Sequence, residues 1–525
     1  MTRRAAVIAL VVLLSICGCV SVNPDRRVAP TDAEMADFLA RSMESFSAER
    51  FDEALRDAEA AWTRGWRLSD VAYSAACAAA RSGKTGDAFL WLQRSVGTGK
   101  LDSNWMNADP DLTSVRADPR YPPLLAEARR IQQRRIETMQ VGTGLQSSTP
   151  AAEGIDAEAL RRLVERAEKT HSSALVVLRN GKMVGNWSFG SISAPTETMS
   201  ATKAVTSLAI GLLIDDKKIP SVDEPVSTWF PEWKDGAHDG ITLRHVLNHT
   251  SGLHADRTTE KIYASKDFVR FALESNVDAP PGTEFFYNNS AVNVLVGVVH
   301  RASGMPMDGY LRARVFEPLG IRDFSWSHDR SGNPHGFAGL QIHAADFAKI
   351  GQLLLQKGRW NGKQVISEAW IAESTQRSGQ PFNPVSGLLW WLESPQTTMV
   401  IDQNLMDALL ARGADAEFVA NLAPLRDQPI PRLEFGNELR RVLGPKGIGV
   451  WFREVERRRL DARTVVNGDF DGFSARGAFG QILLVYPSRR LVAVRFTTRF
   501  DQSDPEINFR DFASLVRALV EPAPP

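Results

Sequence analysis

A serine and a lysine three positions apart open a long apolar stretch of this sequence. Met199-Ser200-Ala201-Thr202-Lys203 runs straight into Ala204–Ile214, apolar on nearly every side, which predicts a buried helix. A lysine on the first turn of such a helix is unfavourable unless it is used or paired. Desolvation lowers its pKa from about 10.4 toward neutrality. Ser200 and Lys203 share a face, so the amine can take the serine proton, and the helix N-terminus favours negative charge developing on Ser200. Ser-x-x-Lys alone equally describes a serine cap beside a lysine that snorkels to water. Lys203, however, is the only lysine of the chain with a serine three residues before it. Further on, Pro280–Ser290 places Tyr287-x-Asn289 on a turn before an apolar helix, Ala291–His300. The Tyr287 phenol can relay a proton between nucleophile and leaving group, and the Asn289 amide can hydrogen-bond a carbonyl or N–H.

In their order, Ser200-x-x-Lys203, His245–Leu253, Tyr287-x-Asn289 and Gly339–Ala348 resemble the class C β-lactamase-related serine hydrolases. That family includes penicillin-binding carboxypeptidases, family VIII-type esterases and 6-aminohexanoate-dimer hydrolases. The resemblance covers residues 155–392 and 466–520. It implies the β-lactamase/transpeptidase fold, with Ser200 acylated, Lys203 as general base, Tyr287 as proton relay and Asn289 touching substrate. It implies no metal or organic cofactor. The family's third motif, Lys-Thr-Gly, is altered here to Ala475-Arg476-Gly477. Gly477 would let its strand approach a substrate, and the Ala478 N–H would join the Ser200 N–H as an oxyanion hole. The missing lysine is the one that faces a substrate carboxylate in lactamases and carboxypeptidases. Arg476 could stand in for it, although neighbouring strand residues point to opposite faces. The change favours an ester or amide hydrolase over a carboxypeptidase or β-lactamase. It also keeps open a reading from another class, a non-catalytic envelope scaffold.

Two other signals lead elsewhere. His245 and His249 are four apart on a predicted helix, a metal-ligand spacing, but no Glu follows His245 as in zincins, so no metal is expected. Gly-x-Ser-x-Gly is absent, which disfavours an α/β-hydrolase elbow.

The elements that must position these groups are legible in outline. A helix is predicted over Asp156–Thr170, then a hairpin in which Ala174–Leu178 and Met183–Phe189 flank Asn180-Gly181. A second hairpin, Ile482–Tyr486 and Leu491–Thr498, turns at Pro487–Arg490, and an amphipathic helix is expected from about Pro505 to Val520. Strands at both ends with helices between them predict an α+β domain, one antiparallel sheet flanked by helices, over residues 153–522. Residues 393–465 do not fit the family core. They read as polar helices, Asp402–Leu422 and Arg432–Leu460, and would form a lid, a side wall or a surface excursion. Val141–Ala152 is rich in Gly, Ser, Thr and Pro, so 139–152 reads as a linker. Before it, 32–138 reads as an all-α module. Ala54 and Ala88 sit 34 positions apart, the tetratricopeptide period, and Trp62, Trp66, Trp91 and Trp105 would pack its interior. Such a module could grip a protein partner.

Composition bounds the rest. The chain has 525 residues, 62 basic and 62 acidic side chains, 43% hydrophobic residues and three cysteines. Zero net charge argues against nucleic acid, and three cysteines cannot make a disulfide framework. Residues 1–18 carry Arg3 and Arg4 before a short apolar run, as a signal peptide does. Ile16-Cys17-Gly18-Cys19 resembles a bacterial lipobox, implying acylation at Cys19, a membrane anchor and residence in the bacterial cell envelope.

Overall fold

Alternating side chains in three strands divide two apolar cores between the faces of one sheet. β1 (Ala174–Arg179), β2 (Lys182–Ser188), β3 (Trp391–Glu393), β4 (Gly472–Gly477), β5 (Gln481–Tyr486) and β6 (Leu491–Phe496) form it in the order β2-β1-β6-β5-β4-β3. All pairings are antiparallel, and β1 against β6 joins the two ends of the domain, as the sequence predicts. Val176, Leu178, Leu483, Val485, Val492 and Val494 face the larger core. Leu175, Val177, Ile482, Leu484, Leu491 and Ala493 face the smaller one. Because both faces are covered, β1, β5 and β6 read as nearly continuous apolar runs.

The computed structural model describes residues 32–66, 68–98, 101, 103–140, 144–189, 195–256, 258–499 and 506–521. Residues 1–18, which the sequence reads as a signal peptide, and Cys19 lie outside them. The described chain divides into two compact units, one built from Phe38–Leu101 with Met106–Ala128, the other running from Arg129 onward with two short earlier pieces. In the first, helices Phe51–Thr63, Ser69–Arg81 and Thr85–Gly97 pack in succession. Ala72, Ala75, Ala76 and Ala79 are fully buried, small enough for close helix approach. Trp62 meets Trp91 edge-on at 5.5 Å, with Arg94 stacked 4.2 Å above the Trp91 ring. Ala54 and Ala88 are both buried. The Trp105 side chain is outside the description. No described helix is long and apolar enough to cross a membrane.

In the second unit, α1 (Ala157–Lys169), capped by the Asp156 carboxylate, and α5 (Phe512–Arg517) cover the smaller core. α2 (Thr202–Asp215), α3 (Asn289–Ser303) and α4 (Ala344–Leu355) build the larger one. Three sequence expectations need correction. The linker reading of 139–152 fails for residues 145–152. Leu145 packs on the larger core, Met183 N–H donates to Gln146, Ser148 N–H donates to Met183, and Glu153 is buried against Lys182. Polar composition there reflects backbone pairing at the edge of β2. The last helix spans only Phe512–Arg517, because Glu506–Asp511 take turns that seat Phe509 in the smaller core. The insertion is not a pair of polar helices. It has its own core, including Leu405, Leu409, Phe418, Val419 and Trp451, under a three-stranded sheet of Thr397–Val400, Ile430–Pro431 and Arg463–Val466. Pairings such as Ile430 with Met399 and Thr464 with Met399, between strands distant in sequence, leave little local pattern.

Candidate active site

Ser200 lies in a single 3-10 turn, Met199–Ala201, that runs into α2. The turn is held from outside. Thr198 N–H donates to Leu340, and Thr198 and Thr202 share a 2.9 Å hydroxyl bond. The strand Leu340–Ile342 pairs with Thr196–Glu197 just upstream, which is how the Gly339–Ala348 segment reaches the site. α2 is buried along almost its whole length, and Lys203 with it, at 3% exposure. Its Nζ stands 2.9 Å from Ser200 Oγ and donates to the Phe337 carbonyl at 3.1 Å. Burial alone drives the amine well below its ordinary 10.5. Lys203 Nζ also lies 4.8 Å from the centre of the Tyr287 ring.

Tyr287 comes from the loop that precedes α3, whose first turn is capped by Asn288 Oδ1. Desolvation within the cleft pushes its phenol up to about 12, against a hydrogen bond with Ser200 that pulls it down. His249 brackets this tyrosine. Its carbonyl accepts from Phe286 N–H at 2.8 Å, its Nδ1 accepts from Asn288 N–H at 3.3 Å, and the two rings lie 4.7 Å apart. Burial, then the nearby Lys203 charge, holds His249 down at about 3, so Nδ1 remains an acceptor. From the other side, Trp391 stacks over Tyr287 at 6.2 Å.

Gly477 ends β4 against the Ser200 turn. A Cβ there would sit 2.3 Å from the Thr198 carbonyl and 2.9 Å from Met199 Cβ, so only glycine permits the approach. Ala478 follows directly. Ala475, at the place of the family's lysine, turns into the larger core, while Arg476 lines the cleft with Ser200, Lys203, His249, Tyr287 and Trp391. Strand alternation thus puts Arg476, and not its neighbour, on the site. Its guanidinium is engaged, with Nε and Nη2 both donating to Glu393 Oε1, at 3.0 and 2.7 Å. Asn289 does not line the cleft. Its Oδ1 is buried and has no hydrogen-bond partner among the described residues.

The two histidines have different partners. His245 closes a capping box with Thr242, while His249 serves Tyr287. Among the described residues the one group with metal-ligand proximity is Cys77, Asp109 and Asp111, in the first unit. Burial pushes the Cys77 thiol up, Tyr73 donates to Asp109 at 2.8 Å and Arg81 pairs with Asp111 at 2.6 Å, so these groups satisfy one another. Sequence reasoning missed the Phe337 carbonyl, His249 and Glu393 as parts of the site. Only His249 had a signal, its place inside the His245–Leu253 motif.

Against known proteins, the pattern described as Beta-lactamase matches residues 160–515. The chain belongs to the beta-lactamase family. Over 250 residues it is 25% identical to a 6-aminohexanoate-dimer hydrolase of Paenarthrobacter ureafaciens, covering 43% of this chain and 63% of that one. Over 159 residues it is 33% identical to the esterase EstB of Burkholderia gladioli, covering 26% and 39%. A solved penicillin-binding protein homologue from Caulobacter crescentus superposes with a TM-score of 0.45 at 15% identity, over 69% of this chain and 98% of the other. The chain spans 29% to 63% of the length of the curated relatives it matches first.

Proposed function

We propose that this beta-lactamase-family chain hydrolyses an ester or amide through an acyl-enzyme on Ser200. The observation that carries the reading is the 2.9 Å separation of Ser200 Oγ from an amine that burial has stripped of its usual basicity. Lys203 accepts the serine proton as Oγ bonds to the acyl carbon. Tyr287 passes a proton to the departing alcohol or amine, and water then releases the acid. The Ser200 and Ala478 N–H groups hold the oxyanion. Gly477 brings the strand close and Arg476 meets the substrate on the cleft wall, while Asn289, which does not line the cleft, has no substrate contact in this reading. Loss of the strand lysine to Ala475 supports an ester or amide over a carboxypeptidase or β-lactam substrate. Covalent labelling by a fluorophosphonate, with turnover of short-chain nitrophenyl esters, tests the reading. Equal labelling and turnover by wild type and Ser200→Ala would sink the nucleophile assignment, whereas a wild type that neither labels nor turns over would favour the scaffold alternative.

The same reading puts the enzyme in the bacterial envelope, anchored through acylated Cys19, with the tetratricopeptide-like helices as a surface for a protein partner. What supports it is the basic and apolar N-terminal segment and the 34-residue offset between Ala54 and Ala88. Incorporation of labelled palmitate into wild type, lost in Cys19→Ala, is the expected result.

A further inference from the structure

The insertion reaches back to the tyrosine loop through the Arg459 side chain. Arg459 leaves the insertion in a left-handed conformation, φ 57°, directly after the turn Glu456–Arg458. Its guanidinium donates to Asp278 and to Glu284, and its Cζ lies over the Phe286 ring, 4.3 Å from the centroid. The arginine side chain is 19% exposed and its two carboxylates about 30%, so this is a half-buried contact. The backbone that presents Arg459 is itself braced. Arg412 donates to the Arg458 carbonyl, while Arg458 donates to the Arg412 and Gly413 carbonyls and to the Glu454 carboxylate.

The loop from Asp278 to Asn288 is otherwise fastened along its inner edge. Asp278 N–H donates to Gly252, Gly282 N–H to Thr250, Phe286 N–H to the His249 carbonyl and Asn288 N–H to His249 Nδ1. Arg459 grips the outer edge at Glu284 and Phe286, immediately before Tyr287. Its single charge faces two carboxylates, one of which, Asp278, also meets His254 Nδ1 at 2.8 Å, so its effect on the phenol is one of placement.

We propose that Arg459 is a positioning residue for Tyr287, and that the insertion is the wall that sets where the phenol stands over Ser200. The inference rests on the acyl-enzyme reading above. In the full chain, with nitrophenyl butyrate, Arg459→Gln is expected to lower kcat about tenfold to a hundredfold, with KM changed by less than about twofold. Arg459→Lys, which keeps the charge and loses the planar fork, should recover part of the loss. Combined with Tyr287→Phe, Arg459→Gln should bring no further drop beyond about twofold, because both act on one group. A fully additive double variant overturns the proposal, as does an Arg459→Gln that raises KM with kcat intact. If Arg459→Gln does not fold, Arg459→Lys carries the same cycle. A wild-type kcat in Tyr287→Phe overturns the relay reading itself, and this inference with it. A loss in Tyr287→Phe beside wild-type kcat in Arg459→Gln overturns this inference alone.

Discussion

Lys203 enters the site on a helix apolar all round, and burial both depresses its pKa and aims it at Ser200. Acylation should therefore speed up with pH through this lowered value and level off well below 10.5, as labelling rates across pH 5–10 would show. The group also leaves a stability signature. Below about 10.5 the unfolded chain holds more protons on this lysine than the folded chain, so its contribution to stability grows as pH rises from the lowered pKa. Lys203→Met should abolish labelling, raise stability at neutral pH by about 1 kcal/mol and lose that slope, measurable as urea midpoints between pH 7 and 10. His249 behaves alike at acid pH. Its folded pKa of about 3 lies below the ordinary 6.5, so stability is lost as pH falls from 6.5 toward 3. His249→Asn, whose amide oxygen can replace Nδ1, should unfold less steeply across that window. Ser200, Lys203 and Tyr287 are legible as residue types at fixed spacing. The Phe337 carbonyl and Glu393 are not, because one is backbone and the other becomes relevant only when β3 lies beside β4.

The elements meet at the site under tension. Met199, His249, Leu389 and Phe479, none of them glycine, all have positive φ, and each lines the cleft or neighbours a residue of the site. Such conformations cost about 1–3 kcal/mol each and persist only where surrounding packing dictates them. Gly477 shows the complementary device, a missing side chain that admits the strand. Gly477→Ala should destabilise the fold by about 1–3 kcal/mol and cut labelling about a hundredfold, since a Cβ there pushes β4 off the Ser200 turn. Melting temperature and labelling rate read the two effects, and an unchanged rate would remove Gly477 from the site. Strands β1, β2, β5 and β6 are visible in the sequence because Asn180-Gly181 and the apolar runs are local signals. The insertion's short strands are not, since their partners come from distant sequence.

At the scale of the molecule, Arg495 ties the domain's two ends to its chemistry. It is buried, its pKa lowered to about 9 by desolvation, and it donates to Ser172 Oγ and to the Thr170, Phe479 and Gly480 carbonyls. The turn after Ala478 is thus held by a residue of β6 beside β1. The second unit carries three apolar cores of its own. Residues 144–525, begun at Gly144 to keep the pairing of Gln146 and Ser148 with β2, should label at the wild-type rate. A start at residue 153 should be less stable, as thermal unfolding would register. Sequence by itself determined the α+β class, the order of the motifs and the placing of Ser200 and Lys203 on one face, because these rest on local periodicity and on spacing within one helical turn. Tertiary structure decided which face of β4 meets the cleft, what desolvates Lys203, what brackets Tyr287 and what the insertion touches. Those contacts join residues tens to hundreds of positions apart, and no local pattern encodes them.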